Sequence, residues 1–380
     1  MTHLMDLVRG LVAWTPLGVP AFLFVITLVV FFHELGHFLV ARFFNVKVDV
    51  FSVGFGREIV GFTDKRGTRW KLSWIPVGGY VKFAGDADAS SRPDAEATAR
   101  MTASEREGAL TLKPVGQRAA VAAAGPFANF ILAIILLTGL FLYSGHNVIA
   151  PVIGQVTKDS PAAAAGIRAG DRVTRIDSTV ITDFQQLPEI ISMSGGAPLA
   201  MGIHRGNQDL ILWVTPRLMK TGNQSNVRSQ MVIGVRPDTR AAVTHQRYGL
   251  GGAFGAACSE SWMIVKNTIL GIGQMITGRV STDQLTGPVG IASMTRQVAD
   301  FGFLPLLNLV AILSVSIGLA NLFPIPLLDG GHLLYYGVEA VLGRPLGERA
   351  QDVGFRLGLV LVLGLMLLTT WNDLVRLNLF

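Results

Sequence analysis

The chain has 380 residues, 50% of them hydrophobic and only 15% charged, with a mean hydropathy of +0.46. Soluble domains carry about a quarter charged residues, so a secreted or cytosolic soluble protein is excluded. The formal charge of +6 does not mark a nucleic-acid partner either: 13 of the 32 Lys and Arg lie between Arg42 and Arg118, diluted by 9 acidic residues and forming no aromatic-interleaved basic run.

Four apolar stretches account for the excess, each long enough to cross a hydrocarbon core of about 30 Å. In chain order, residues 1–45 hold the first, in which 20–44 carry only Glu34 and Arg42 as charges. It is too long for a cleaved signal peptide and no small-residue cleavage site follows it, so it is expected to remain as a membrane helix. Residues 46–117 come next. Within them, 46–83 alternate apolar and polar around Gly54, Gly56, Gly61, Gly67, Gly78 and Gly79, which predicts two β-hairpins. These are too apolar for a loop in water and are expected to lie against the membrane or dip into it, with backbone buried in protein or lining a wet cavity. The polar stretch 86–110 is expected to be a mobile insertion.

A second span fills 118–144, uncharged from 119 to 143. Residues 150–238 return to a soluble composition with short strands. The connector 239–300 contains an amphipathic helix over 249–278. The third span, 301–341, is uncharged from 301 to 328, and it must break at Pro324 and Pro326, because two prolines so close cannot sit in a regular helix. The fourth span is 352–374. The predicted fold is therefore an α-helical polytopic membrane protein of about four transmembrane helices, with a membrane-associated β-hairpin region and a small α+β domain. One cysteine, Cys258, permits no internal disulfide.

Cations near span ends set the expected orientation. On one side lie Arg42, Lys47, Arg57, Arg100, Arg106, Lys113, Arg118, Arg344, Arg349 and Arg356; on the other lie only Arg9, Lys158, Arg296 and Arg376. This bias predicts that 45–117 and 343–352 face the cytoplasm, with both termini and 145–300 on the opposite side.

The chemistry is concentrated in the first span. His33-Glu34-Leu35-Gly36-His37 spells H-E-x-x-H. At 3.6 residues per turn the two imidazoles share one helix face and can reach one metal, with Glu34 beside them to act on a water. Ionisable groups inside a span are costly and mark function by default. A catalytic zinc also needs a third protein ligand. Asp329, just beyond the proline break, can be projected into the bundle at a similar depth; His332 is the rival ligand. Asn129 is expected to make an interhelical hydrogen bond.

In combination, HELGH, the run Asn321-Leu-Phe-Pro324-Ile-Pro326-Leu-Leu-Asp329-Gly330 and Gly125-Pro126-Phe-Ala-Asn129 resemble the site-2 protease family of intramembrane zinc metalloproteases, in its bacterial regulator-of-sigma-E branch. Gly78-Gly79-Tyr80-Val-Lys82 and Gly287-Pro288-Val-Gly-Ile291 fit the same likeness, which covers nearly the whole chain. The resemblance implies His33, His37 and Asp329 as Zn2+ ligands and Glu34 as catalytic acid/base. It also implies that the hairpins, with Gly78, Gly79 and Tyr80, hold an extended substrate strand. Asn321 is a second candidate for gripping unwound substrate backbone. Within 150–238, Ile153-Gly-Gln-Val156, Ser160-Pro161-Ala162, Gly166-Ile167 and Gly170-Asp171-Arg-Val173 resemble a PDZ domain, which would bind a peptide or protein ligand or act as a spacer.

By this resemblance the chain is a multi-pass protein of the bacterial inner membrane, with its termini and PDZ-like domain periplasmic and its active site towards the cytoplasmic side. Its partners would be the lipid bilayer and a single-span membrane protein, such as an anti-sigma factor or a signal-peptide remnant, cut by regulated intramembrane proteolysis. The alternatives are a non-proteolytic PDZ scaffold, which has no need of Glu34, and a metal transporter, which would show repeated broken spans.

Overall fold

The computed structural model describes residues 18–85, 101–221, 228–238, 243–278 and 280–376. Residues 1–17, and 86–100 of the expected insertion, lie outside the described residues. The chain divides into two compact units. The first comprises Met1–Thr138, Ala257–Val265 and Thr286–Asp373, and the second Gly139–Ala256, Lys266–Leu285 and Leu374–Phe380.

The first unit is built on helices α1 (Gly18–Phe43), α2 (Val115–Ser144), α3 (Pro288–Ala299), α4 (Phe303–Leu322), α5 (Asp329–Leu342) and α6 (Glu348–Arg376), with strands β1 (Val48–Thr63) and β2 (Arg69–Phe83) between α1 and α2. Among the described residues, four helices are long and apolar enough to cross a membrane: α1, α2, α4 and Arg349–Arg376 within α6. Much of the α6 surface is apolar and uncovered, as at Leu357, Val360 and Leu367, a surface suited to lipid and not to water.

Ala21, Val25, Val29, His33 and His37 recur every four residues of α1 and are all buried. The lower part of this stripe packs on Leu306, Leu309, Val310 and Leu313 of α4. Lipid tails are as apolar as leucine, so helix association here depends on close approach, not on escape from water. Gly36 supplies it between α1 and α2: a Cβ there would lie 2.3 Å from the Ala124 carbonyl oxygen.

The region 46–83 differs from the expected two hairpins. It is one long ribbon in which β1 pairs with β2 twice. Val53 faces both Gly79 and Leu72, and Phe51 faces both Val81 and Trp70, while Phe62 also faces Trp70. The reason is local: Gly54 and Gly56 both adopt φ of 89°, which side-chain-bearing residues rarely reach, so β1 bends and presents a second face for pairing. Trp70 stacks on Phe51 at 4.3 Å and on Phe62 at 6.1 Å. The ribbon tip is tied to the end of α1, where the Arg42 guanidinium donates to Asp64 and, at 2.7 Å, to Thr68 Oγ1.

The end of the expected insertion is also ordered. Residues Ala103–Gly108 form a short helix, and Leu110 is buried with Phe38, Val48 and Phe83. Burying Leu110 in that cluster outweighs the polar composition around it.

Helix α4 ends at Leu322, before Pro324, and α5 begins at Asp329. The intervening loop is clasped by the first turn of α5: a Cβ on Gly330 would lie 2.2 Å from the Phe323 oxygen, and one on Gly331 2.5 Å from the Ile325 oxygen. At the far end, the buried Asp373 of α6 accepts the Gly287 and Gly290 N–H groups at 3.1 and 2.7 Å. It thereby places a carboxylate at the N-terminus of α3, where a helix favours negative charge.

In the second unit, residues 151–238 hold a four-stranded sheet ordered Thr179–Val180, Arg172–Ile176, Leu199–Arg205, Gln208–Val214. Strand Ile153–Val156 pairs instead with Val235–Pro237. Ile153, Val173, Ile176, Leu187, Met201 and Ile203 fill one apolar core. Asp171 is buried at its edge and is gripped by Arg205 Nε at 2.7 Å and Nη2 at 2.8 Å. Helix Leu250–Ile276 follows in the chain, its Ala257–Val265 stretch belonging to the first unit, with Leu250, Phe254, Trp262, Ile269 and Ile276 exposed.

Candidate metal centre

The buried stripe of α1 continues directly into chemistry. Residues four apart lie one above the other on a helix, and His33 Nε2 and His37 Nε2 stand 3.3 Å apart. The proline break brings the first residue of α5 to them: Asp329 Oδ2 is 3.1 Å from His33 Nε2, and Oδ1 is 3.5 Å from His37 Nε2. Among the described residues this is the one group of three His, Cys, Asp or Glu side chains close enough to share a metal ion.

Helix α2 fixes the imidazoles from behind. His37 Nδ1–H donates to the Val121 carbonyl at 2.8 Å, which leaves Nε2 with a free lone pair. His33 Nδ1 lies 3.3 Å from the Asn129 side-chain amide, so Asn129 is the interhelical partner of a site histidine. Asn129 Oδ1 is buried without a partner; with the amide turned, it accepts from His33 Nδ1–H and leaves His33 Nε2 free for a metal. The fit around His37 is tight, since a Cβ on Gly125 would lie 2.2 Å from His37 Nε2.

These tautomers make the donor set fit zinc. With Nδ1 protonated on both rings, two nitrogen lone pairs and a carboxylate converge, and Asp329 Oδ2 is buried without a hydrogen-bond partner. Such a cluster of acceptors calls for a cation. A tetrahedral zinc with bonds of about 2.0–2.1 Å holds its ligand atoms about 3.3–3.4 Å apart; the two Nε2 atoms are 3.3 Å apart, and one atom from each of the three residues lies within 4.8 Å of the others.

Glu34 sits between the two histidines in sequence and meets β2. Its carboxylate accepts the Val81 N–H, and a Cβ on Gly79 would lie 3.2 Å from Glu34 Cγ. Gly78 (φ 113°) lies against the Phe55 ring, and Tyr80 stacks on Phe55 at 6.0 Å. The structure thus brings the Gly78–Tyr80 arm beside Glu34. Asn321 is half-buried in the last turn of α4, with no hydrogen bond to the imidazoles recorded among the described residues. His332 packs its ring against Tyr336 at 6.4 Å and is not one of the three converging side chains.

The sequence profile of Peptidase family M50 matches residues 21–365. The chain belongs to this family. Among M50 relatives, a protein of Agrobacterium fabrum named "Putative zinc metalloprotease" is 43% identical over 355 residues, covering 93% of this chain and 94% of its own. A Mesorhizobium japonicum protein of the same name is 44% identical over 359 residues, covering 93% and 97%. Metalloprotease MmpA of Caulobacter vibrioides is 38% identical over 381 residues, covering 94% and 95%. As an M50 (site-2 protease family) member with four bilayer-length helices, this chain is a zinc metalloendopeptidase and a multi-pass membrane protein. The scaffold and transporter alternatives are set aside. Two residues that matter to the site, Val121 and Gly125, were not given roles by sequence reasoning. Val121 acts through its carbonyl, which leaves no trace in a sequence; the Gly125-Pro126 pair inside an apolar span was the only signal for the other.

Proposed function

We propose that the protein hydrolyses a peptide bond within the membrane, in single-span membrane proteins such as anti-sigma factors or signal-peptide remnants, as a step of regulated intramembrane proteolysis. The observation that carries this reading is the meeting of His33, His37 and Asp329 among helices of bilayer length. Zinc held by His33 Nε2, His37 Nε2 and Asp329 supplies the Lewis acidity that makes water nucleophilic near neutral pH and polarises the scissile carbonyl.

The chain's own residues do the rest. Glu34 takes a proton from the attacking water and returns it to the leaving amine. The Val81 N–H holds the Glu34 carboxylate in place meanwhile. A peptide bond in a substrate helix is shielded by its own hydrogen bonds, so the substrate must unwind. The Gly78–Tyr80 arm, next to Glu34, offers backbone for an added strand, and Asn321 is a further polar grip. Residues 150–238 are a PDZ-like domain on this reading. Ile153–Val156 and the short Ser160-capped helix Pro161–Ala164 support it, and the domain binds an extended peptide or excludes bulky substrates. The cation bias supports an inner-membrane orientation with 45–117 cytoplasmic and 145–300 periplasmic.

The test is Glu34→Gln in the full chain, reconstituted in liposomes with a single-span reporter. Bound zinc is expected to stay at the wild-type level while cleavage falls by about 10²–10⁴-fold. Wild-type cleavage by the Gln variant would overturn the assignment of Glu34.

A further inference from the structure

Helix α5 brings Asp329 to the site, and its first turn clasps the proline loop, in which Leu327 adopts φ of 108°. Such a backbone value is strained for a leucine and persists only where the surrounding structure holds it. The far end of α5 lies beyond that clasp.

Glu339 holds it. Its carboxylate receives both guanidinium nitrogens of Arg118, with Nη1 to Oε2 at 3.0 Å and Nη2 to Oε1 as the second bond. The side chains of the pair are only 14% and 16% exposed. Arg118 is itself fixed, since Nε donates to the Lys113 carbonyl at 2.9 Å and the guanidinium lies 5.0 Å over the Tyr336 ring. A two-pronged arginine–carboxylate contact sets direction as well as distance.

The placement of the pair matters. Arg118 lies one turn before Val121, whose carbonyl orients His37. Glu339 lies about 15 Å along α5 from Asp329, at 1.5 Å per residue. We infer that Arg118 and Glu339 form a latch that positions the third zinc ligand, locking α5 in register with the helix that orients the imidazoles. Without the latch α5 loses its register with α2, and the Asp329 carboxylate shifts out of the triangle. The inference rests on Asp329 being a ligand.

The test uses the full-length chain in detergent, stripped of metal. Zinc affinity is measured by competition with a chelating dye, and unfolding of the apo form by near-UV circular dichroism. The variants are Arg118→Lys, which keeps the charge but loses the fork; Glu339→Gln; the exchange Arg118→Glu with Glu339→Arg; and Asp329→Asn. Both single latch variants are expected to weaken zinc about 10–100-fold, the range for groups that orient metal ligands, and the exchange to recover most of that loss. A purely structural pair would lower the apo melting temperature and leave the affinity of the folded fraction unchanged. Wild-type zinc affinity in folded Arg118→Lys and Glu339→Gln, with affinity lost in Asp329→Asn, would overturn the latch alone, as would failure of the exchange to recover. Wild-type affinity in Asp329→Asn would instead remove the ligand assignment, and the latch with it.

Discussion

The two units are held together by different means. Residues 151–238 rely on an apolar core of large side chains such as Leu187, Met201 and Ile203, none more than 1% exposed. Their burial from water contributes about 25 cal/mol per Å². The helices around the histidines rely on the lack of side chains: Gly36 and Gly125 let backbone and imidazole come within distances that no Cβ would allow. In lipid, apolar burial drives helices together only weakly, so steric fit and a few polar ties set the geometry. Replacement by alanine should therefore harm the first unit by adding atoms and the second by removing them.

The largest effect is expected from Gly125→Ala. Its Cβ would fall 2.2 Å from His37 Nε2, a collision with the ligand atom itself. Displacing one nitrogen by a fraction of an ångström dismantles a three-ligand site, so cleavage of a single-span reporter should fall at least about 100-fold, the scale for a 1 Å misplacement at a reacting centre. Bound zinc per chain should drop in parallel. Near-wild-type activity would show that α1 can move away from α2 without cost, and the contrast between the units would be lost.

Leu187→Ala probes the other side. Leu187 is 0% exposed in helix Gln186–Met193, and its truncation should destabilise residues 151–238 by about 2–5 kcal/mol. Hydrogen exchange by mass spectrometry should show faster exchange in that unit, while zinc content stays that of the wild type. Lost zinc would mean that the units are not energetically separate.

What could be read from the sequence follows the same division. The helical period alone puts His33 and His37 on one face, and the spacing of Pro324 and Pro326 forces the break that starts α5 at Asp329. Those are local rules. The sequence left Asp329 and His332 as alternatives, and only the packing shows Asp329 beside the imidazoles and His332 beside Tyr336. The double pairing of β1 was hidden because Gly54 and Gly56 permit many paths, and the one taken depends on Trp70 finding both Phe51 and Phe62. The Arg118–Glu339 contact joins residues 221 apart. Read in sequence, both are simply charges near span ends, and no spacing rule links them.

The smallest expected effect sharpens the contrast through pH. Burial alone would raise the Asp171 carboxyl, but hydrogen bonds from Arg205 and from the Arg168 N–H outweigh it and hold the carboxyl below its ordinary value. An acid whose folded value is depressed stabilises the fold fully above its unfolded value of about 3.9, and that contribution is lost as pH falls through the lower folded value. Asp171→Asn should cost residues 151–238 about 1.5–3 kcal/mol at neutral pH, the range for hydrogen bonds to a charged group. It should also flatten the fall in stability of this unit below about pH 4. Hydrogen exchange of residues 151–238 between neutral and acidic pH, wild type against variant, measures both. An unchanged acid slope in Asp171→Asn would mean that another carboxylate governs acid unfolding there.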